Sequence, residues 1–200
     1  PNFAQDYLFR ETAEIEAKFS APGPLRVLYL SNLIPGKGHE ELLAAYRSLG
    51  PAEQAQIQLD FAGAFESDAA RDDFLARVAA LPQVRHHGIV GGAAKADLLG
   101  QAHVFCLPTY YPYEGQPISI LEAYASGCNV ITTDHSGIFD VFTPGDCGLA
   151  VRPRSAEAIA AALRQCLADR PALLAQALHN RRLADERFRV ATYNRSLLSV

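Results

Sequence analysis

The chain has 200 residues, of which 49% are hydrophobic and 20% charged, and a formal net charge of −4. That composition is ordinary for a globular domain and excludes collagen, coiled coil and wholesale disorder. A chain this long buries roughly 70% of its unfolded surface and needs no staple, the acidic balance argues against a general nucleic-acid binder, and no apolar run approaches the roughly 18 residues of a membrane span.

The opening two dozen residues are mixed and polar and end in the turn signal Ala21-Pro22-Gly23-Pro24. LRVLYL (Leu25 to Leu30) is a near-continuous apolar run, the mark of a strand buried on both faces. A turn with Pro35, Gly36 and Gly38 follows, then a helix with Leu42, Leu43, Tyr46 and Leu49 on one face. The alternation repeats. Ile57 to Gly63 reads as a strand, and Ser67 to Leu81 as a helix with Phe74, Leu75, Val78 and Leu81 inward. Val84 to Val90 reads as a short strand and turn, Ala93 to Gln101 as a helix, and His103 to Pro108 as a strand. Pro117 to Ser126 reads as a helix whose first turn accommodates Pro117 and which Gly127 closes. Cys128 to Thr133 and Gly148 to Val151 are the last strands. Ser155 is placed to cap a helix carrying Ile159, Leu163 and Leu167, and helical segments near Ala172 to Arg187 and Ala191 to Leu198 finish the chain.

Strands alternating with helices at this spacing predict parallel β/α units and right-handed crossovers. The expected fold is a doubly wound, mostly parallel six-stranded Rossmann-like sheet with helices on both faces. Ligands of such sheets sit beyond the carboxyl ends of the strands, where strand order reverses. The loops after Leu30, Gly63, Val90, Pro108 and Thr133 therefore matter most.

The loop after the first strand, SNLIPGKG, is neither G-x-G-x-x-G nor a Walker loop. Lys37 sits there between two glycines, either a solvated turn lysine or a point charge for a phosphate. The loop after the fourth strand continues into TYYPYEGQPISILEAYASG. Its helix start leaves the amides of Ile118 and Ser119 unpaired, an anion site contributing roughly 0.3–2 kcal/mol. Glu114 precedes that start, and Glu122 lies about 7.5 Å along the axis from Pro117. Taken alone, Glu114 reads as a capping acid and Glu122 as an exposed or N-terminally biased helix acid. Together, flanking a diphosphate, they suit the hydroxyls at the two ends of a nucleoside-diphosphate sugar. Two acids on one loop-helix unit suit glycoside hydrolysis poorly. No D-x-D, H-E-x-x-H or G-x-S-x-G is present. Histidines 39, 86, 87 and 135 read as structural or solvated. Arg181, Arg182, Arg187 and Arg189 read as a solvated face or a domain contact. Cys106, Cys128, Cys147 and Cys166 form no C-x-x-C pair and read as buried thiols of a reducing compartment.

EGQPISILEAYASG resembles the E-x7-E segment of the retaining GT-B glycosyltransferases of group 1 (family four). LYLSNLIPGKG, HGIVGGAAKADLLGQAHVFCLPT, ITTDHSGIFDVF and GDCGLAV resemble further segments of the same enzymes, in the same order, and PNFAQDYLF resembles the segment joining their two domains. The resemblance implies that residues 1–24 are a linker from a missing N-terminal domain and residues 25–200 the domain that binds the nucleotide-sugar donor. It implies Glu114 and Lys37 as catalytic residues. Asn32, Lys37, Val90, Gly115, Gln116, Ile118 and Glu122 would bind the donor: Lys37 and the helix amides the diphosphate, Glu114 the transferred sugar, Glu122 the ribose, Val90 the base side. Transfer would be retaining and metal-independent, with no cofactor, because the nucleotide sugar is a substrate. The acceptor, a glycan, lipid or other small molecule, would be held mainly by the missing domain. The protein would be cytoplasmic, or peripheral to a membrane through that domain. Three departures stand out. Ser31-Asn32 replaces a frequent Gly-Arg pair, Ser136-Gly137 a double glycine, and Asp140 an acid that is often glutamate. A non-catalytic nucleotide-sugar module and a nucleotide-sugar epimerase are the alternatives. The chain starts at Pro1 without a charged-then-apolar leader and holds no methionine, so it reads as part of a longer polypeptide.

Overall fold

The computed structural model describes residues 2–193. Its strands are β1 (Leu25–Leu30), β2 (Ile57–Ala62), β3 (Val84–His86), β4 (Val104–Leu107), β5 (Asn129–Thr133) and β6 (Gly148–Val151). They form one sheet in the order β3-β2-β1-β4-β5-β6, and every neighbouring pair is parallel. The expected doubly wound class is therefore the observed one. β2, β4 and β5 are buried at every residue, as two-sided coverage of a parallel sheet requires.

Helices α1 (Thr12–Ser20), α2 (His39–Ser48), α3 (Pro51–Gln54), α4 (Asp68–Val78), α5 (Gly92–Gln101), α6 (Ile118–Ala125), α7 (Ala156–Ala168) and α8 (Arg170–Arg187) complete the fold. From β1 the chain winds outward through α2 and α4, then crosses back through α5 and α6. Right-handed crossovers in opposite directions place those two pairs on opposite faces. α7 packs on α2, while α8 packs on α6 and α1. The winding reverses between β1 and β4, so the loops leaving these two strands face each other across the switch point.

Three expectations need correction. Leu75 does not point inward; it is 39% exposed. Phe74 and Val78 are four residues apart and define the buried stripe, and Leu75 lies off it by one position. Leu81, also placed on that helix, follows its end and packs on the core from the turn. Pro117 is the N-cap of α6 in extended conformation rather than a residue of its first turn. The final expected helix, near Ala191 to Leu198, lies mostly outside the described residues.

The opening segment holds two elements that its polar composition concealed: α1 and a 3-10 turn over Asp6–Leu8. α1 has one fully buried apolar residue, Ile15, so it lacks the stripe that marks an amphipathic helix. Lys18 fastens it instead. Its ammonium donates to the carbonyls of Ala102, Ser126 and Gly127 at 2.8, 3.1 and 2.8 Å, closing the C-terminal ends of α5 and α6 together. Arg181 donates to Arg10 O at 2.7 Å, and Arg189 stacks over Phe9 at 3.8 Å, so two of the C-terminal arginines hold this segment. All four cysteines are buried and free; burial pushes Cys166 up to about 12.

His103, just before β4, has a fixed tautomer when neutral. Its Nδ1 accepts from Arg26 N at 2.9 Å, so Nε2 carries the hydrogen and donates to Lys18 O at 3.1 Å. A second proton breaks the first contact. Burial, reinforced by Lys18, Arg170 and Arg26, lowers its pKa from 6.5 to about 4. Between these values the unfolded chain binds the proton more readily. The contribution is therefore complete above pH 6.5, is lost as pH falls toward 4, and changes no further below that. We expect unfolding stability to fall by about 3 kcal/mol from this group across that interval. Denaturant titrations at pH 7, 5.5 and 4 check it. His103→Asn, which keeps an acceptor for Arg26 N, is expected to flatten that part of the slope.

Candidate functional site

The site lies where the β1 and β4 loops meet. The β1 loop descends from Ser31 to Gly38, which enters α2 with φ of +85°. A Cβ on Gly38 would fall 2.4 Å from Pro108 O, so the two loops touch backbone to backbone there. Tyr110 N donates to Gly36 O at 2.7 Å. This contact carries Lys37 across to the β4 loop. Its Nζ lies 2.8 Å from Glu114 Oε2 and 4.8 Å from the centre of the Tyr111 ring. Thr109 Oγ1 donates to the same Glu114 oxygen at 2.9 Å. The Lys37 and Glu114 side chains are 15% and 8% exposed. Neither bland reading holds: Lys37 is not a solvated turn lysine, and Glu114 does not cap α6.

Glu122 lies one turn into α6 and is also buried, its side chain 8% exposed. Lys95 of α5 reaches it, Nζ to Oε1 at 2.5 Å. Two lysine–glutamate pairs thus flank the start of one helix. No side chain caps that start, and its first-turn amides are those a helix leaves without an internal acceptor. The partial positive charge there adds to the two ammoniums.

The β4 loop is fixed from its far side by β5 and the segment after it. Thr133 Oγ1 donates to Thr109 O, His135 Nε2 lies 2.7 Å from Tyr111 O, and Ser136 Oγ donates to Glu114 O at 2.5 Å. Ser136 does so at φ of +52°, an uncommon conformation for a residue with a side chain.

The other predicted residues are placed as follows. Asn32 is exposed, and its carbonyl accepts from Tyr29 Oη at 2.9 Å. Gly115 is exposed; Gln116 is half-buried, its carbonyl accepting from Asn2 Nδ2 at 3.0 Å. Ile118 is 50% exposed at the helix start. Val90 follows the Gly88 turn beyond β3 and packs partly on the core. Beside that turn a cavity of about 430 Å³ is lined by Gly63, Phe65, Arg71, His86, Gly88 and Ile89. The structure therefore brings Lys37, Glu114, Gln116, Ile118 and Glu122 into one loop-helix neighbourhood, with Val90 on the β3 side of the sheet.

Sequence reading missed Lys95, Thr109 and Tyr111, and it gave His135 and Ser136 no part in holding the β4 loop. The histidines otherwise hold structure: His86 meets Gly63 O at 3.2 Å, His87 meets Asp60 Oδ1 at 2.7 Å, and His39 packs between Tyr29 and Phe74.

Comparison with known proteins bears on this geometry. The family model described as "Glycosyl transferases group 1" matches residues 11–183. The O-antigen chain mannosyltransferase B of Escherichia coli is 28% identical over 171 residues, covering 83% of this chain and 44% of its own length. The crystal structure of Anabaena HepE in complex with UDP-glucose superposes with a TM-score of 0.81 at 19% identity, over 99% of this chain and 55% of that one. Sucrose-phosphate synthase from Thermosynechococcus elongatus superposes with a TM-score of 0.77 at 26% identity, over 100% of this chain and 52% of that one. The chain thus spans under half of that curated relative and about half of each solved one. Among the described residues no helix is long and apolar enough to cross a membrane.

Proposed function

The chain belongs to the glycosyl transferases of group 1, and on that premise we propose that it is the donor-binding half of a retaining GT-B enzyme. One observation carries this reading. Both acids of the E-x7-E segment are buried beside the switch point, and each is engaged by a lysine on either side of the α6 start. Solvated surface acids have neither property.

In this reading the diphosphate of a nucleoside-diphosphate sugar lies against Lys37 and the amides of Ile118 and Ser119. An ammonium has three donors, so Lys37 serves Glu114 and phosphate oxygens together. As the glycosidic bond breaks, negative charge grows on the leaving diphosphate and is met by a field already in place. Glu114, held by Lys37 and Thr109, accepts from hydroxyls of the transferred sugar and faces the positive charge growing there. Glu122 accepts from ribose hydroxyls, and the base extends toward Val90 and the cavity at the β3 turn. The resemblance of this segment to retaining enzymes supports retention, and the positive charge the leaving group needs comes from Lys37 and α6. The acceptor is held by a further domain, and the four buried thiols fit a cytoplasmic setting.

A thermal-shift panel of UDP, GDP, ADP and their sugars tests the proposal. At about a hundred times its dissociation constant, the bound nucleotide is expected to stabilise the fold by about 2.7 kcal/mol. Stabilisation without glycosyl transfer is the expected behaviour of these 200 residues alone. A longer protein containing them that binds the donor yet neither transfers nor hydrolyses it favours the non-catalytic module. Release of nucleotide with an epimerised sugar favours the epimerase. Absence of any stabilisation contradicts all three.

A further inference from the structure

From the Lys95–Glu122 contact we infer that Lys95 is a positioning residue for nucleotide recognition: it fixes Glu122 so that one carboxylate oxygen is left for the ribose. The inference rests on the donor-binding reading above. Lys95 is the fourth residue of α5, and a cation near a helix N-terminus is electrostatically disfavoured. Its side chain is held at 19% exposure, which costs a lysine much of its rotamer freedom. Local preference thus argues against lysine here, and the evident offset is the contact with Glu122 at 2.5 Å. Departures of this kind gather at functional sites.

The pairing has two consequences. Lys95 takes Glu122 Oε1, and among the described residues Oε2 receives no hydrogen bond, so one acceptor of fixed direction remains. The ammonium also cancels the charge of a carboxylate one turn from the helix start. Lys37 and Glu114 repeat the arrangement on the opposite side of the start, where Thr109 supplies the further bond. The two lysines then have separate tasks: Lys37 faces phosphate, and Lys95 faces ribose through Glu122.

The test is calorimetric titration with UDP, GDP and ADP, their 2′-deoxy and 3′-deoxy counterparts, and the matching monophosphates. A hydrogen bond to a charged group is worth about 1.5–3 kcal/mol. Wild type is therefore expected to prefer the ribonucleotide over at least one deoxy form by about tenfold or more. Lys95→Met is expected to reduce that preference to threefold or less, while the gain of diphosphate over monophosphate stays within twofold. Lys95→Arg is expected to restore the preference. If the Met variant does not fold, Lys95→Gln carries the same test, with at least a threefold fall expected. A preference that is unchanged or enlarged in the folded variant overturns the inference. So does a loss confined to the diphosphate increment, which would make Lys95 a phosphate ligand. Wild type that binds the ribonucleotides without preferring them overturns the inference and the ribose role of Glu122, but not the rest of the donor reading. Wild type that binds none of the nucleotides overturns both.

Discussion

Lys37→Met is expected to weaken nucleoside-diphosphate binding by about a hundredfold or more, while changing nucleoside binding by less than threefold. The variant keeps the side chain's length and apolar stem and removes only the charge and donors. In the native chain one donor is directed at Glu114 Oε2, 2.8 Å away. The remaining donors point from a side chain only 15% exposed, where an ionic hydrogen bond is screened less than at the surface. Two such bonds to phosphate, at about 1.5–3 kcal/mol each, exceed the roughly 2.7 kcal/mol of a hundredfold effect. Removing Lys37 also leaves Glu114 with Thr109 Oγ1 alone on the shared oxygen, and the freed carboxylate then repels the ligand. Titrations with uridine, UMP and UDP, and with the guanosine and adenosine series, check it. Equal losses for nucleoside and diphosphate would assign Lys37 to the fold and not to the phosphate.

Gly63→Ala is expected to destabilise the fold by about 3 kcal/mol or more, near the upper range for point substitutions. Gly63 follows β2 at φ of +146°, and an added Cβ would lie 1.9 Å from Ser31 O. That atom is backbone and cannot swing aside. Ser31 opens the loop that carries Lys37, and the two loops are joined by Ser31 N to Ala62 O at 3.1 Å and Leu33 N to Ala64 O at 2.8 Å. Relief of the clash therefore displaces the lysine. At roughly 2–4 °C per kcal/mol for a chain of this size, Tm is expected to drop by about 6–12 °C. Gly91→Ala is the control, because its Cβ meets nothing within 4 Å. Differential scanning calorimetry separates the two. Equal stability of both variants would mean that the β1 and β2 loops are not in contact.

The elements that sequence reading located best are those decided by continuous apolar runs. β1 and β6 have the expected bounds, and β2 ends one residue early. The doubly wound class followed from the alternation of such runs with helical stripes. Lys37 and the two glutamates were singled out by their spacing around one helix start and by the resemblance of that segment, because each alone read as a solvated, capping or helix acid or base. Their partners were not. Lys95 lies 27 residues from Glu122 and Thr133 lies 24 from Thr109, on separate elements. No local period records such a contact. α1 was hidden for a related reason: it is fastened by Lys18 to three carbonyls, and a polar anchor reads in sequence as a solvated side chain. Leu75 was misplaced because hydrophobicity identifies a face only when its neighbours four residues away agree.

A crystal structure of the chain with the nucleoside diphosphate that stabilises it most tests the central claim most directly. The account predicts phosphate oxygens about 3 Å from Lys37 Nζ and from the amides of Ile118 or Ser119, with ribose hydroxyls on Glu122. A nucleotide bound with its phosphates away from α6, or with its ribose out of reach of Glu122, would contradict it.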